Sequence, residues 1–143
     1  CQLGAVLAGR PDLEDGMAEF GRELGVAFQV ADDVLDYTAD AAALGKNIGD
    51  DLAEGKPTLP LILSRKALNP EQLAIIDESV RHGGIDRIDE IVALIRDSGA
   101  LRESMEMARA RSAASKRAIA FLPDSRWKQA MTSLADYSVS RNH

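Results

Sequence analysis

The chain has 143 residues, 45% hydrophobic and only 4% aromatic, and carries a formal net charge of −6. This composition is typical of one globular domain, or of part of a larger one, and excludes a largely disordered chain. The acidic charge argues against nucleic acid as the main partner. Because no apolar run approaches the ~18 residues that a membrane span requires, and no signal peptide is visible, we expect a soluble, cytoplasmic protein.

The sequence opens with CQLGAVLAGRPDLED, in which an apolar helical run ends near Arg10 and a turn follows at Pro11-Asp12. The run starts without a residue that would cap it. Two interpretations are open: a terminus made by processing, or a cut through a longer protein. We favour the second and expect more sequence upstream of Cys1.

A long second helix is predicted over 13–37, because apolar residues recur at the spacings of a buried helical stripe. These residues are Met17, Phe20, Leu24, Ala27, Phe28, Ala31, Val34 and Leu35. The segment 38–57 contains three glycines and ends at a proline, which predicts a long loop with at most one helical turn. Loops of this length inside compact domains tend to be functional.

The rest of the chain alternates helical patterns with Pro and Gly breaks, so the predicted fold is all-α. The further helices are expected over 58–68, 70–81, 86–96, 101–121 and 124–141. The helix over 86–96 is expected to turn Ile88, Ile91, Val92 and Ile95 inward. Asp124 is expected to be the N-cap of the last one. The helix over 101–121 has a stripe of mostly small residues, namely Met105, Ala108, Ser112, Ser115 and Ile119.

The segment FQVADDVLDY, residues 28–37, places three aspartates in an otherwise apolar helix. Asp32, Asp33 and Asp36 share one face with Gln29, because positions three and four apart are neighbours on a helix. A solvated helix face is one interpretation. However, acidic groups near a helix C-terminus are disfavoured by the helix dipole. A divalent cation would relieve their repulsion, and hard oxygen ligands suit Mg²⁺.

Two lysines lie shortly after this cluster, and each directly follows a glycine. Lys46 and Lys56 are the only lysines before Lys66. They could be solvent-exposed loop residues without a role. Together with the aspartates they instead predict a diphosphate site, where Mg²⁺ and ammonium groups share the negative charge. On this interpretation both lysines sit on flexible backbone.

FQVADDVLDY followed by LGKNIGDDLAEGKPTLPLIL resembles the second aspartate-rich region of the trans-isoprenyl diphosphate synthases. The similarity is greatest to the long-chain octaprenyl, solanesyl and decaprenyl enzymes, and the terminal LADYSVSRNH also resembles their C-termini. The resemblance therefore covers essentially the whole chain. It implies an isoprenoid-synthase-type helical bundle, of which residues 1–143 form the C-terminal part of a single domain, and a homodimer.

The resemblance also implies a prenyltransferase that extends an allylic diphosphate with isopentenyl diphosphate to a long-chain polyprenyl diphosphate, a precursor of ubiquinone side chains. Asp32 would be the main Mg²⁺ ligand, with Asp33 and Asp36 completing the site directly or through water. Gln29, Lys46 and Lys56 match positions that contact the allylic diphosphate. Asp51 matches a loop aspartate that we expect to orient a lysine or hold the loop.

This chain departs from the family pattern because it has only one DDxxD motif. The family's other motif and its isopentenyl diphosphate site belong to an N-terminal half, which would be the missing partner of this chain. Alone, the chain is expected to be inactive. The main alternative is a non-catalytic helical subunit of a heteromeric prenyl synthase; half of a terpene cyclase is a weaker one.

Overall fold

The computed structural model describes residues 1–38, 50–82 and 87–140. Within these ranges every regular element is helical, which confirms the all-α prediction. The α-helices are α1 (Gln2–Leu7), α2 (Glu14–Thr38), α3 (Asp50–Ala53), α4 (Leu59–Ser64), α5 (Pro70–His82), α6 (Ile88–Asp97), α7 (Ala100–Ala118) and α8 (Arg126–Ser140). A 3-10 turn at Pro11–Leu13 precedes α2. None of the described helices is both long and apolar enough to cross a membrane.

The chain divides into two compact units. The first comprises Cys1–Ala31 and Met107–Asn142, and the second comprises Asp32–Glu106. In the first unit Ala108, Ser112 and Ser115 of the α7 stripe are buried, and the Ser112 hydroxyl donates to the carbonyl of Ala135 on α8 at 2.7 Å. Glu23 of α2 has a side chain only 5% exposed and pairs with Arg111 of α7 at 3.2 Å.

The second unit is built around one apolar cluster to which five helices contribute. α6 is strongly amphipathic and turns Ile91, Val92 and Ile95 inward, as its sequence predicts. The buried members of the cluster are Tyr37, Leu52, Leu61, Ile76, Ile91, Val92 and Ile95. This burial provides the main favourable term for the unit, at ~25 cal/mol for each Å² of apolar surface removed from water.

Several helix limits differ from the sequence-based ones. α4 ends at Ser64 rather than at residue 68, because the chain continues in tighter turns in which Lys66 N–H donates to Leu63 and Ala67 N–H to Ser64. α7 likewise ends at Ala118, three residues early. These single-turn endings leave no periodicity signal in the sequence.

The predicted N-cap of α8 is wrong by one residue. α8 begins at Arg126, and the hydroxyl of Ser125 accepts a hydrogen bond from Lys128 N–H at 3.2 Å. Asp124 has a side chain that is 98% exposed. Serine and aspartate are about equally good N-caps, so the sequence alone does not choose between adjacent ones.

Tyr37 is the polar member of the apolar cluster. Its side chain is fully buried, and its hydroxyl lies 2.6 Å from the hydroxyl of Thr58. Burial raises the pKa of Tyr37 to about 12, since the hydrogen bond with Thr58 offsets only part of the desolvation. The tyrosine is therefore neutral in the folded protein far above physiological pH.

We expect this phenol to make stability pH-dependent in alkali. Because the folded pKa lies above the unfolded one, the stabilisation is complete below pH ~10 and is lost as the pH rises to ~12, an effect of about 3 kcal/mol. Urea unfolding between pH 8 and 11.5 checks this expectation. Tyr37→Phe should be about 1–2 kcal/mol less stable than wild type near neutrality, and should then lose less stability with rising pH. Parallel pH profiles of the two proteins would contradict it.

Candidate functional site

The three aspartates of FQVADDVLDY occupy the C-terminal end of α2 and differ in exposure. Asp32 is exposed, Asp36 is half-buried and Asp33 is buried, with only 9% of its surface accessible. The difference follows from helical periodicity, since Asp33 lies next to the buried Val34 and Tyr37 in the face that packs inward. One short motif thus presents three carboxylates in three environments.

Asp33 binds the backbone at the start of α4. Its Oδ2 accepts a hydrogen bond from Leu59 N–H at 3.2 Å. Leu59 is the first residue of α4, and the N–H groups in the first turn of a helix have no acceptor within their own helix. The Thr58 hydroxyl makes no capping bond there. The carboxylate of Asp33 therefore replaces the usual N-cap side chain.

Asp36 is connected to Lys56 through Asp51. The Oδ2 of Asp36 accepts a hydrogen bond from the backbone N–H of Asp51 at 3.3 Å, and Oδ1 of Asp51 accepts one from Lys56 Nζ at 2.9 Å. Asp51 thus makes the contacts expected of a residue that both orients a lysine and holds the loop. This chain of contacts joins the end of α2 to the segment that follows α3.

Gly55 fixes the backbone at Lys56. It adopts a φ of 73°, and Gly55 N–H donates to Leu52 while Lys56 N–H donates to Asp51. This pair of bonds is a Schellman motif, which ends α3 and favours glycine because only glycine adopts positive φ without strain. A Cβ at Gly55 would also lie 3.2 Å from the carbonyl oxygen of Val80. The Gly-Lys pair is therefore a helix terminator with defined geometry, not the flexible backbone expected from sequence.

Lys56 is exposed and lies between two acidic side chains. Its Nζ is 2.7 Å from Oε2 of Glu54 and 2.9 Å from Oδ1 of Asp51. Hydrogen bonds to Glu54 and then to Asp51 raise the pKa of Lys56 well above its usual range. The ammonium group is therefore fully protonated at physiological pH, as a group that binds a diphosphate must be.

The C-terminal end of α2 is held by an arginine from α6. Arg96 donates from Nε and Nη2 to the carbonyl oxygen of Tyr37, at 2.9 and 2.6 Å. Sequence reasoning missed this residue, and it also missed the pairing of Tyr37 with Thr58. Arg96 lies 59 residues from its acceptor, so no local pattern indicates the contact.

The residues predicted from sequence have different outcomes. Asp32, Asp33 and Asp36 lie in the last two turns of α2, and Lys56 is linked to Asp36 through Asp51. Gln29, one turn earlier on the same helix, is exposed. Lys46 lies outside the described residues. The proposed roles of all six residues in binding metal or substrate remain predictions.

The donor set fits a hard divalent cation. Across residues 1–38, 50–82 and 87–140, no three or more His, Cys, Asp or Glu side chains are grouped as a ready-made metal site. Mg²⁺ does not need such a group, since it typically takes one or two carboxylates and completes its shell with water and substrate phosphates. Asp32 is the exposed carboxylate of the motif, and it is the residue best placed to supply a first ligand.

A family model and an individual relative both match this chain and point to the same family. The model of a family described as Polyprenyl synthetase matches residues 1–95. An octaprenyl diphosphate synthase from Haemophilus influenzae is 45% identical over 144 residues, which are 99% of this chain and 44% of that protein. This chain thus spans less than half of that relative's length.

Two solved structures share the fold. One is a polyprenyl synthase from Caulobacter crescentus CB15 complexed with calcium and isoprenyl diphosphate, with a TM-score of 0.88 and 36% identity over 98% of this chain and 44% of that one. The other is a geranylgeranyl pyrophosphate synthase from Corynebacterium glutamicum complexed with isoprenyl diphosphate and magnesium, with a TM-score of 0.84 and 30% identity over 98% of this chain and 41% of that one.

The bond from Leu59 to Asp33 predicts a structural contribution from this aspartate. Asp33→Ala leaves the Leu59 N–H without its acceptor and should lower the free energy of unfolding by about 1–3 kcal/mol. Asp33→Asn keeps a carbonyl acceptor of the same shape and should lose less. The matched control is Asp124→Ala, at an aspartate whose side chain is 98% exposed, which should change stability by no more than ~0.5 kcal/mol. Urea unfolding near pH 7 measures all three; equal stability of Asp33→Ala and wild type would refute the contact's role.

Proposed function

Because this chain belongs to the polyprenyl synthetase family, we propose that it is the C-terminal part of a single-domain trans-polyprenyl diphosphate synthase. The observation that carries the proposal is the match over residues 1–95, which includes the aspartates of α2 and both lysines that follow them. The proposed partner is an N-terminal half of the same polypeptide, and the complete enzyme is proposed to be a homodimer.

The proposed reaction extends an allylic diphosphate with isopentenyl diphosphate. The bond between the allylic carbon and the diphosphate oxygen breaks, and its electron pair leaves with the diphosphate. The double bond of isopentenyl diphosphate then forms the new carbon–carbon bond, and a proton is lost. We propose a long-chain product that serves as a ubiquinone side-chain precursor, because the relative with 45% identity is an octaprenyl diphosphate synthase.

In this proposal the residues of α2 and the segment after α3 bind the diphosphate that leaves. Asp32 would hold Mg²⁺, with Asp33 and Asp36 supporting the site. Bound Mg²⁺ supplies Lewis-acid stabilisation of the charge that develops on the diphosphate. Lys56 contributes a protonated ammonium group held by Asp51, and Lys46 and Gln29 are proposed as further contacts to the same diphosphate.

The proposal assigns different tasks to the three carboxylates. Asp33 and Asp36 each accept a backbone N–H, so they keep α4 and the turn before Lys56 in place relative to the end of α2. Asp32 makes its contribution from the exposed face. A carboxylate has about four lone-pair positions, so one backbone hydrogen bond does not prevent Asp33 or Asp36 from binding a metal through water.

Substitution of Asp32 tests the proposal directly. In the full-length enzyme, Asp32→Ala should reduce turnover by roughly two orders of magnitude or more, the usual effect of losing a group that stabilises developing charge, while the circular dichroism spectrum stays unchanged. The matched control is Asp124→Ala, which removes an aspartate with a 98% exposed side chain from a different region. Turnover of the Asp32 variant close to that of the control would refute the metal role.

The same assay separates a catalytic chain from a regulatory one. Turnover by the purified full-length protein alone, together with a homodimer in native mass spectrometry, is the expected result. Turnover that appears only after a second prenyl synthase chain is added would instead establish the heteromeric alternative.

A further inference from the structure

We propose that Arg96 is a positioning residue for the aspartate-bearing end of α2. Its guanidinium closes the last turn of the helix and supplies the positive charge that this turn lacks. The contact itself is independent of the activity; its catalytic consequence rests on the proposed function.

The geometry is that of a side-chain cap at a helix C-terminus. Nε and Nη2 of Arg96 both donate to the carbonyl oxygen of Tyr37, at 2.9 and 2.6 Å. Tyr37 is the second-to-last residue of α2, so its carbonyl is one of the four that have no acceptor role within the helix. Two charge-assisted bonds to one oxygen hold the guanidinium in a defined orientation.

The charge pattern explains why such a cap is needed here. α2 has no basic residue in its last turn, although that end of the helix carries the partial negative charge of the dipole. Asp33 and Asp36 add two carboxylates in the same final turns. The dipole and the side chains at this end carry charge of the same sign, and Arg96 places a full positive charge there.

Packing fixes the position from which Arg96 acts. The residue before it, Ile95, is fully buried in the apolar cluster, and so is Ile91 one turn earlier. Arg96 is itself exposed, but its hydrogen bonds to Tyr37 are partly buried. Packing in the core thus fixes which face of α6 points inward, and this orientation brings the guanidinium of Arg96 to the end of α2.

The cap acts on the same turn that carries the other site contacts. The side chain of Tyr37 reaches the Thr58 hydroxyl, and the neighbouring Leu59 N–H reaches Asp33. Arg96 is therefore attached to a residue whose side chain and carbonyl both make tertiary hydrogen bonds. Loosening this residue should disturb the carboxylates without touching them.

Hydrogen–deuterium exchange on the purified protein tests the cap without any activity. Arg96→Met removes the charge but retains an apolar stem, and residues 33–38 should exchange about tenfold faster, as expected for the loss of a charge-assisted hydrogen bond. Arg96→Lys should restore part of the protection, because an ammonium keeps the charge but lacks the two fixed N–H donors of the guanidinium. Arg102→Met, at an exposed arginine of α7, is the control and should leave this segment unchanged. Unaltered exchange of 33–38 in Arg96→Met would overturn the proposal.

Kinetics of the full-length enzyme test the positioning role. Arg96→Met should raise the Mg²⁺ concentration needed for half-maximal rate several-fold, whereas Arg102→Met should not. A fall in turnover that excess Mg²⁺ leaves unchanged would refute this positioning role. Failure of the proposed function is a separate outcome, since it would appear as no turnover in the wild-type enzyme while the exchange result stands.

Discussion

The fold of the second unit depends on how negative charge is accommodated at the C-terminal end of α2. Three carboxylates lie there, in the part of a helix where the dipole disfavours them. The surrounding structure places positive or partly positive groups against this end of the helix: the N–H of Leu59, the N–H of Asp51 and the guanidinium of Arg96. These groups come from α4, α3 and α6, three of the helices that pack in the apolar cluster of the unit. The charge cluster therefore organises the segments around it as well as forming the candidate site.

This arrangement also explains why one motif can serve structure and chemistry together. The buried Asp33 has the geometry of a helix cap, whereas the exposed Asp32 faces outward on the same two turns. Asp51 connects Asp36 to Lys56, because its backbone N–H binds the Asp36 carboxylate and its own carboxylate binds Lys56 Nζ. A backbone hydrogen bond, and not flexible side chains alone, therefore helps to set the distance between the carboxylate of Asp36 and the ammonium group. The proposed diphosphate site would therefore be largely preorganised, which would reduce the ordering required when ligand binds.

Sequence reasoning predicted the helices, most of the buried stripe of α2 and the inward face of α6, because each depends on periodicity within one segment. It was wrong for Phe28, which was assigned to that stripe but is 46% exposed. It singled out the DDxxD motif and Lys56 from their local spacing, and their roles in binding remain predictions. It could not find Arg96 or the pairing of Tyr37 with Thr58, since those contacts depend on which segments meet in space. It also took Gly55 for a flexible break, because a glycine that ends a helix and one that loosens a loop look alike in sequence. The N-cap of α8 was displaced by one residue where two good caps are adjacent.

The connectivity of the bonds around α2 has a consequence for folding. The three bonds that balance the acidic turn close loops with sequence separations of 15, 26 and 59 residues. Closing such loops costs entropy that rises with the logarithm of their length, so these contacts cannot form through local structure alone. In the unfolded chain the same carboxylates are neighbours with none of these partners. We therefore expect the aspartate-bearing turn to be among the last parts of α2 to become stably helical, ordering only as α4 and α6 dock.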